Sequence, residues 1–408
     1  MQNIIFQILR YFLWIIATII LSLSTQVQAQ TKYSNEFLNL GVGAKGLALS
    51  NTQVAMSRDV TSGYWNPAGL AFAEQNYQLS LMHSEYFAGI AKYDYAAISA
   101  RIDKHQVVGF TMLRFGVDGI PNTTQLIDNQ GNINYDRITY FTAADWGLLF
   151  SYSRTFEQIE GLAFGANAKI IRRRIGDFAG AWGFGLDAGL QYRLKKWSFG
   201  LVVKDLTSTF NAWTFKLSDE MIETFIKTGN ELPENGLEYT LPHTSIGFGR
   251  DFDLGKGFTF MATMDMDMTF DGKRNTLIRS KVINIDPHLG IEFGFKNIFF
   301  VRSGVGNLQR ETDFDNKQKF TCQVNLGIGI NIKNIFSIDY AFSDVGDVSI
   351  ALYSHIFSLK LAINQFKKIK YHHLTKFHTK NNEEIIYLIY FHIFNLFFTI
   401  FCTITKLW

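Results

Sequence analysis

The sequence predicts an all-β protein: a transmembrane antiparallel β-barrel of about fourteen strands. Two patterns predict this fold, namely long stretches of alternating apolar and polar residues, and connections that are short at one end of the strands and long at the other. Composition agrees, since charged residues make up only 18% of the chain, below the roughly 25% of an average soluble domain. A glycine-rich soluble β-protein would share that composition, so the two patterns decide between the classes.

Residues 1–29 are interpreted as a secretory signal peptide. Arg10 precedes a long apolar run, and Val27 and Ala29 are the small residues expected before a cleavage point, which gives a mature start near Gln30. An uncleaved anchor helix is the alternative. Between residues 30 and 363 no uninterrupted apolar run approaches the roughly 18 residues of a membrane-spanning helix. We expect an exported chain that enters the outer membrane as a barrel.

Residues 181–194 illustrate the alternation. Their sequence is AWGFGLDAGLQYRL, in which every second residue from Trp182 to Leu194 is apolar or aromatic and the residues between are glycine or polar. A period of two is typical of a β-strand, and this run is longer than the roughly five or six residues of a soluble strand. We expect its Trp/Phe/Leu face to contact lipid and its Gly/Asp/Gln/Arg face to line a polar lumen.

About fourteen such segments fall within residues 76–366, which we assign to the barrel. They lie near 76–84, 91–102, 105–117, 143–156, 162–176, 181–194, 197–206, 243–254, 257–270, 287–295, 298–307, 319–332, 335–343 and 349–363. The connections at one end of the strands are short, and most of them contain a lysine. At the other end the connections are long, such as 118–142 and 207–242. This difference indicates periplasmic turns and extracellular loops. All five prolines are predicted to lie outside strand interiors.

Charged residues on the predicted inner face carry no recognisable chemistry. The lumen-facing candidates are Asp145, Asp187, Arg193, Asp265, Asp267 and Asp339. The Asp265–Asp267 pair could support acid–base chemistry, although ion pairing with arginines or contact with water is the simpler interpretation. Because zinc-protease, P-loop and nucleophile-elbow motifs are all missing, we predict no enzyme activity, no cofactor and no metal. A balance of 39 basic against 36 acidic residues gives no reason to expect nucleic acid.

The stretch before the barrel does not alternate. Gly41, Gly43 and Gly46 match the dinucleotide glycine pattern, but no strand precedes them and no βαβ unit follows. We interpret these glycines as positions of close packing. Further on, Pro67 fixes its own φ and biases Asn66 towards an extended conformation, which predicts a rigid turn.

The sequence LGVGAKGLALSNTQVAMSRDVTSGYWNPAGLA in this stretch resembles the N-terminal signature of the PorV/PorQ family of outer-membrane proteins. That family in turn resembles the FadL long-chain fatty-acid transporters. The resemblance covers residues 35–363 and implies that residues 30–75 form a hatch inside the barrel. It implies a hatch motif made of Asn66, Pro67, Ala68 and Gly69 with Asp59, Gly41, Gly43 and Gly46. An ordinary surface turn at Asn66–Ala68 is the alternative.

Three functions follow from the fold and the resemblance. The PorV/PorQ resemblance implies a non-enzymatic role in type IX protein secretion, surface display and gliding, in which the barrel binds the translocon or secreted cargo. The FadL resemblance implies a channel for hydrophobic small molecules such as long-chain fatty acids. A structural barrel without cargo is the third reading. All three expect outer-membrane lipid and lipopolysaccharide as neighbours, and Arg172–Arg174 could contact lipopolysaccharide phosphates or form a solvated, salt-bridged run.

The loop 207–242 is predicted to contain a short amphipathic helix. Ser218 is a suitable N-cap and acidic residues follow it. The side chains on one face of this helix are Met221, Ile222, Phe225 and Ile226. They could dock a partner or pack as a lid on the barrel mouth, and we prefer the lid.

Residues 367–408 differ in character from the rest of the chain. A basic stretch with His372, His373 and His378 precedes the apolar run 385–401. We interpret this tail as foreign to the fold, as after a frameshift or read-through, and an anchor helix over 385–401 is the alternative. The histidines are interpreted as solvated, because no carboxylate or cysteine completes a metal site with them.

Overall fold

The computed structural model describes four ranges of the chain, residues 34–126, 132–312, 318–345 and 354–364. The predicted signal peptide (1–29) and tail (367–408) lie outside the described residues, so both stay predictions.

Seventeen strands, all paired in antiparallel fashion, lie in the described part of the chain. They are β1 (Tyr77–Tyr86), β2 (Ala91–Arg101), β3 (Gln106–Asn122), β4 (Thr139–Thr155), β5 (Leu162–Ile175), β6 (Ala179–Leu194), β7 (Trp197–Lys204), β8 (Thr209–Phe215), β9 (Gly236–Thr240), β10 (His243–Gly255), β11 (Phe258–Thr269), β12 (Ile278–Arg279), β13 (Asn284–Phe295), β14 (Phe299–Thr312), β15 (Gln318–Ile332), β16 (Phe336–Val345) and β17 (Ser354–Ile363).

Fourteen of the described strands form a closed ring. Their order is β1 to β7, then β10, β11 and β13 to β17, and β17 returns to pair with β1. The closing register runs from Tyr77 opposite Ile363 to Glu85 opposite His355. The ring therefore has no open edge, which confirms the predicted fourteen-stranded antiparallel barrel. Each predicted segment corresponds to one strand of the ring.

Alternation separates the two faces of this wall. In β6, Trp182 and Phe184 are exposed, with Trp182 at 60%, whereas Gly183 and Asp187 are buried. Exposed side chains on other strands include Leu289, Phe293, Val301, Ile328 and Phe357. Large apolar side chains outside and small or polar ones inside invert the pattern of a water-soluble protein and match a wall in lipid.

Two prolines contradict the prediction that all five avoid strand interiors. Pro121 lies in β3 and Pro287 lies in β13. Each lies in a stretch of its strand that pairs with only one neighbouring strand. Pro121 follows Val117, the last β3 residue paired with β2, and Pro287 precedes Leu289, where pairing with β14 begins. A missing N–H is tolerated at such a local edge.

The predicted segregation of connection lengths holds in part. The end with the long loops also has two short connections, residues 87–90 and 176–178. The insertion 207–242 contains more than a helix, because β8 and β9 form a pair that extends the wall. β7 pairs with β6 only from Ala188 onwards, which leaves the start of β6 free to pair with β8.

The helices of the described residues are short. α1 (Ala44–Ala48) and α2 (Ser62–Trp65) lie in the N-terminal segment, residues 34–75, together with the 3-10 helices Glu36–Asn39 and Pro67–Phe72. α3 (Asp219–Lys227) lies between β8 and β9, and a further 3-10 turn covers Tyr135–Arg137. No helix in the described ranges is long and apolar enough to cross a bilayer.

Candidate functional site

The N-terminal segment packs against inward-facing residues of the wall. The largest buried apolar cluster joins Val42, Leu47 and Trp65 of this segment to Tyr93 and Leu113 of the strands. In most of the segment, backbone and side chains are buried. A single apolar core is therefore shared between the segment and the wall, and its burial stabilises their contact.

Asn66 connects the segment to strand β6. It is completely buried, and its Nδ2 donates hydrogen bonds to the carbonyls of Val54 at 2.9 Å and of Leu190 in β6 at 3.0 Å. Its Oδ1 accepts from the N–H of Ala68 at 3.2 Å. Asn66 thereby caps the 3-10 helix that Pro67 begins, where a residue without an N–H costs nothing. The extended conformation expected before proline is present, with φ −155° and ψ 105°.

Inward-facing glycines let the segment approach the wall. A Cβ at Gly165 of β5 would overlap the backbone of Pro67 and Ala68, and a Cβ at Gly247 of β10 would lie 2.8 Å from the nitrogen of Ala55. Other wall glycines in comparable contact with the segment are Gly189, Gly200, Gly290 and Gly304. Any larger side chain at these positions would push the segment away from the wall.

The glycines of the hatch motif serve packing. A Cβ at Gly46 would lie 2.8 Å from the indole of Trp65, and Gly41, at φ +96°, faces the same ring. Gly43, at φ +75°, directs its N–H to the sulfur of Met82 at 3.0 Å. Gly69 lies close to the Ser57 carbonyl, where a Cβ would overlap it. These contacts favour the packing interpretation over the nucleotide pattern.

Asp59 ties the segment to the last strand. One carboxylate oxygen lies 2.6 Å from the ammonium of Lys360 in β17, and the other accepts hydrogen bonds from Thr61. Burial by itself would raise the pKa of Asp59, but the positive charge of Lys360 and the hydrogen bonds hold it well below its ordinary value.

Three of the predicted lumen-facing carboxylates form ion pairs on the inner face. Asp145 binds Arg173 through two parallel hydrogen bonds of 3.0 and 3.1 Å. Asp187 lies 2.7 Å from the ammonium of Lys169, and Asp339 lies 2.6 Å from Arg302. The last two pairs are largely buried, so each charge is compensated by its partner.

The other three predicted residues face the N-terminal segment or the space beside it. Asp265 accepts a hydrogen bond of 2.8 Å from the N–H of Val54. Asp267 lies 3.4 Å from Nε2 of His288 and accepts from Ser245. Arg193 places its guanidinium 5.3 Å from the centre of the Phe72 ring. Among the described residues, no group of His, Cys, Asp and Glu side chains is placed to hold a metal ion.

Four residues of this interior were missed by sequence reasoning, namely Lys169, Arg302, His288 and Lys204. Each lies on the face of its strand that alternation assigns to the lumen, with Lys204 at a strand end and the other three within their strands. Their position in the alternating pattern of each strand is the signal that could have identified them. It would not have revealed their partners, which come from other strands.

A cavity of about 580 Å³ lies between the N-terminal segment and the long-loop end of the barrel. Its apolar lining consists of Leu40, Leu47, Tyr64, Trp65, Tyr86 and Phe87, and its polar lining includes Lys204, His243, Asp267 and His288. The lining therefore combines aromatic and aliphatic surface with charged groups. Such a volume lies in the range of small-molecule sites.

Lys204 differs from the other charged residues that line this cavity. Its ammonium lies 4.6 Å from the centre of the Tyr64 ring. Within the described ranges no carboxylate lies within ion-pair distance of it, whereas Asp267 approaches His288, and Glu36 pairs with Arg274. A cation that borders an aromatic surface without a carboxylate partner can receive the anionic group of a ligand.

A second cavity, of about 290 Å³, lies at the short-turn end of the segment. Its lining contains both positively and negatively charged side chains, including Arg58, Asp59, Asp251, Glu292 and Lys360. Arg58 reaches Asp251 of the wall at 2.6 Å. The two cavities are lined by different parts of the segment, which therefore separates them.

The predicted loop helix forms where expected, with Oγ of Ser218 accepting from the N–H of Met221 at 3.3 Å. Met221, Ile222 and Phe225 are half-buried, whereas Ile226 is 65% exposed. The helix therefore presents only part of its apolar face to solvent.

The three residues of the arginine run, Arg172–Arg174, make different kinds of contact. Arg173 and Arg174 pair with Asp145 and Asp177, and Arg172 stacks on Trp182 with 5.0 Å between the guanidinium carbon and the ring centre.

No family model matches this chain, and no curated protein does. Similar solved structures include the toluene transporter TbuX of Ralstonia pickettii, at 13% identity over 79% of this chain and 99% of that chain with a TM-score of 0.48. The toluene transporter TodX of Pseudomonas putida has 13% identity over 78% and 96%, with a TM-score of 0.49. A FadL homologue of Pseudomonas aeruginosa has 12% identity over 79% and 98%, with a TM-score of 0.47.

Identities and TM-scores this low do not establish a function for this chain. The evidence for the fold is the strand pairing described above. The PorV/PorQ resemblance gains no support from these comparisons.

Proposed function

We propose that this protein is an outer-membrane channel for amphipathic small molecules with an acidic group, and that residues 34–75 act as its hatch. The observation that carries the proposal is the cavity of about 580 Å³, in which the ammonium of Lys204, without a carboxylate partner among the described residues, borders an aromatic and aliphatic surface. A hydrocarbon chain would pack against Leu40, Leu47 and Trp65, and an anionic group would bind Lys204. Long-chain fatty acids have this chemistry.

The outer-membrane location is supported by the closed ring and its outward apolar side chains. In water such a surface would be costly, and a bilayer provides the apolar environment that it requires. The hatch is supported by the buried contacts of Asn66, Asp59 and the wall glycines. Because the segment separates the two cavities, passage of a ligand requires part of it to move.

Binding measurements on the purified barrel test this function. We expect a long-chain fatty acid to bind more tightly than the alcohol of equal length, because only the acid can pair with Lys204. Lys204→Gln should weaken binding of the acid about tenfold and leave the alcohol unchanged, since a charge-assisted hydrogen bond contributes about 1.5–3 kcal/mol.

Lys216→Gln is the matched control, because Lys216 is exposed in the loop insertion and does not line the cavity. Equal affinities for acid and alcohol, unchanged in Lys204→Gln, would contradict the proposed ligand class. Absence of binding for both would contradict the channel function itself.

Docking of a protein partner, as in type IX secretion, is the second candidate. The exposure of Ile226 at 65%, Leu237 at 59% and Tyr135 at 70% on the long-loop side supports it, because these side chains form apolar surface beyond the wall. Co-purification from solubilised outer membranes, with the translocon and cargo proteins identified, tests this role. Recovery of the tagged barrel without either protein would count against it.

A further inference from the structure

The short-turn end of the barrel carries six lysines on five turns. They are Lys104, Lys195, Lys196, Lys256, Lys296 and Lys333, and we call these connections the lysine turns. All six are exposed. The two short connections at the opposite end, 87–90 and 176–178, contain no lysine. Short length alone therefore does not account for these cations.

The lysine turns lack counterions among the residues that the structure describes. In the described part of the chain, none of the six ammonium groups lies within 4.0 Å of a carboxylate. The nearby Asp103 accepts hydrogen bonds from the N–H groups of His105 and Gln106, and Asp253 accepts from the N–H of Gly255. These carboxylates serve their own turns, so the lysine charges are left for an external anion.

Backbone conformation in these turns does not require lysine. Lys195, Lys256, Lys296 and Lys333 have φ values of 56°, 53°, 52° and 55°. Asparagine or glycine would adopt this left-handed conformation at lower cost, and they are the usual residues of such hairpins. A lysine at these positions costs conformational free energy, and its side chain gives no ion pair within the described residues in return.

Each lysine is flanked by exposed apolar side chains. Leu194 and Trp197 enclose Lys195 and Lys196, and Leu254 and Phe258 enclose Lys256. At the remaining turns the exposed neighbours are Ile102, Ile298, Phe299, Ile332 and Ile335. Apolar side chains directly beside a basic residue are typical of the boundary between the hydrocarbon and the headgroups of a bilayer. Long basic side chains there reach the lipid phosphates.

We propose that the lysine turns bind the phosphate groups of anionic phospholipids in the leaflet on the short-turn side. The inference rests on the membrane location proposed above and adds a lipid specificity. From β6–β7 round to β15–β16 the turns form a continuous arc with five of the six lysines. The turn 156–161 between β4 and β5 carries Glu157 and Glu160 instead, so the arc has a defined acidic end. Basic groups at a bilayer surface attract anionic lipids, and their contributions add.

Native mass spectrometry of the full mature chain from mixed vesicles tests the proposal. We use equal amounts of phosphatidylglycerol and phosphatidylcholine and compare the lipids retained. The wild type should retain phosphatidylglycerol in excess, and the triple variant Lys256→Gln, Lys296→Gln, Lys333→Gln should lose at least about fivefold of that preference. The corresponding triple arginine variant should keep it, because the charge is unchanged.

The control removes three exposed lysines from the opposite end, Lys216→Gln, Lys227→Gln and Lys281→Gln, and should retain the wild-type preference. Equal retention by the wild type and the lysine-turn variant would overturn the proposal in favour of another anion, such as an acidic protein. Insertion is measured first, by the heat-dependent mobility of the folded barrel on gels. Failure to insert into any vesicle would refute the membrane location, whereas insertion without lipid preference refutes the lysine proposal alone.

Discussion

The carboxylate of Asp59 and the ammonium of Lys360 lie 2.6 Å apart and join the N-terminal segment to the strand that closes the barrel. The two residues are separated by 301 positions in the chain, and the contact exists only because β17 returns to β1. Removing one partner leaves the other charge partly buried without compensation.

Asp59→Asn should loosen the attachment of the N-terminal segment to the barrel. We expect a loss of about 1–3 kcal/mol in the attachment of the segment, less than for a fully buried pair because both side chains keep some exposure. Limited proteolysis of residues 34–75 and conductance across planar bilayers would both increase. In the double variant with Lys360→Gln the loss should be smaller than the sum of the single losses. Strict additivity would show that the pair does not act as a unit.

The same contact predicts how attachment depends on pH. The folded-state pKa of Asp59 lies well below its ordinary value, so the contribution of this carboxylate is fully present above that ordinary value of about 4. It is lost as the pH falls further, through the folded-state pKa. Proteolysis of the segment by a protease active in acid should therefore be unchanged from pH 7 to pH 5. A rise within that interval in the wild type, absent in Asp59→Asn, would contradict the assignment.

Gly165→Val should displace the N-terminal segment and leave the barrel wall intact. The new side chain would occupy the space of Pro67 and Ala68, whereas the outward face of β5 is unchanged. We expect higher single-channel conductance and faster cleavage near Asn66, with normal heat-dependent gel mobility of the barrel. Gly236→Ala is the control, because a Cβ there would meet only the Glu234 carbonyl at 4.0 Å. Normal conductance in Gly165→Val would argue that the segment does not restrict the pore.

Ile328→Lys should destabilise the barrel in a bilayer. Ile328 is 55% exposed on the outer face of β15, and a lysine in the apolar part of a bilayer costs up to about 2–4 kcal/mol. Denaturant titration in vesicles should show that loss. Ile226→Lys is a matched control, because Ile226 is exposed on α3, and its stability should equal the wild type. Equal stability of the two variants would mean that Ile328 does not face lipid.

Local periodicity accounts for how much of the fold could be predicted. Side chains alternate between faces in any strand, so Trp182 and Asp187 were assigned to opposite faces without knowledge of a neighbour. The same local character explains the errors. Whether Pro121 or Pro287 fits inside a strand depends on which neighbour is missing there, and that is a property of the sheet.

The extra pair β8–β9 was missed for a similar reason. It forms because β7 leaves part of β6 without a partner, and no feature within residues 209–240 signals this vacancy. The candidate site shows the same division. The alternating pattern placed Asp187 and Asp339 on the inner face. Their partners Lys169 and Arg302 are identified only by the pairing of the strands in the structure.

The sequence by itself determined the number of barrel strands, their faces, the turn at Asn66–Pro67 and the N-cap of α3, because each depends on spacing within a few residues or on a continuous motif. Only the tertiary structure decided that Lys204 borders Tyr64, with no carboxylate of the described residues at ion-pair distance, and that Asp59 meets Lys360. These contacts join residues more than 100 positions apart, and closure of the ring, rather than any local preference, sets the distances between them.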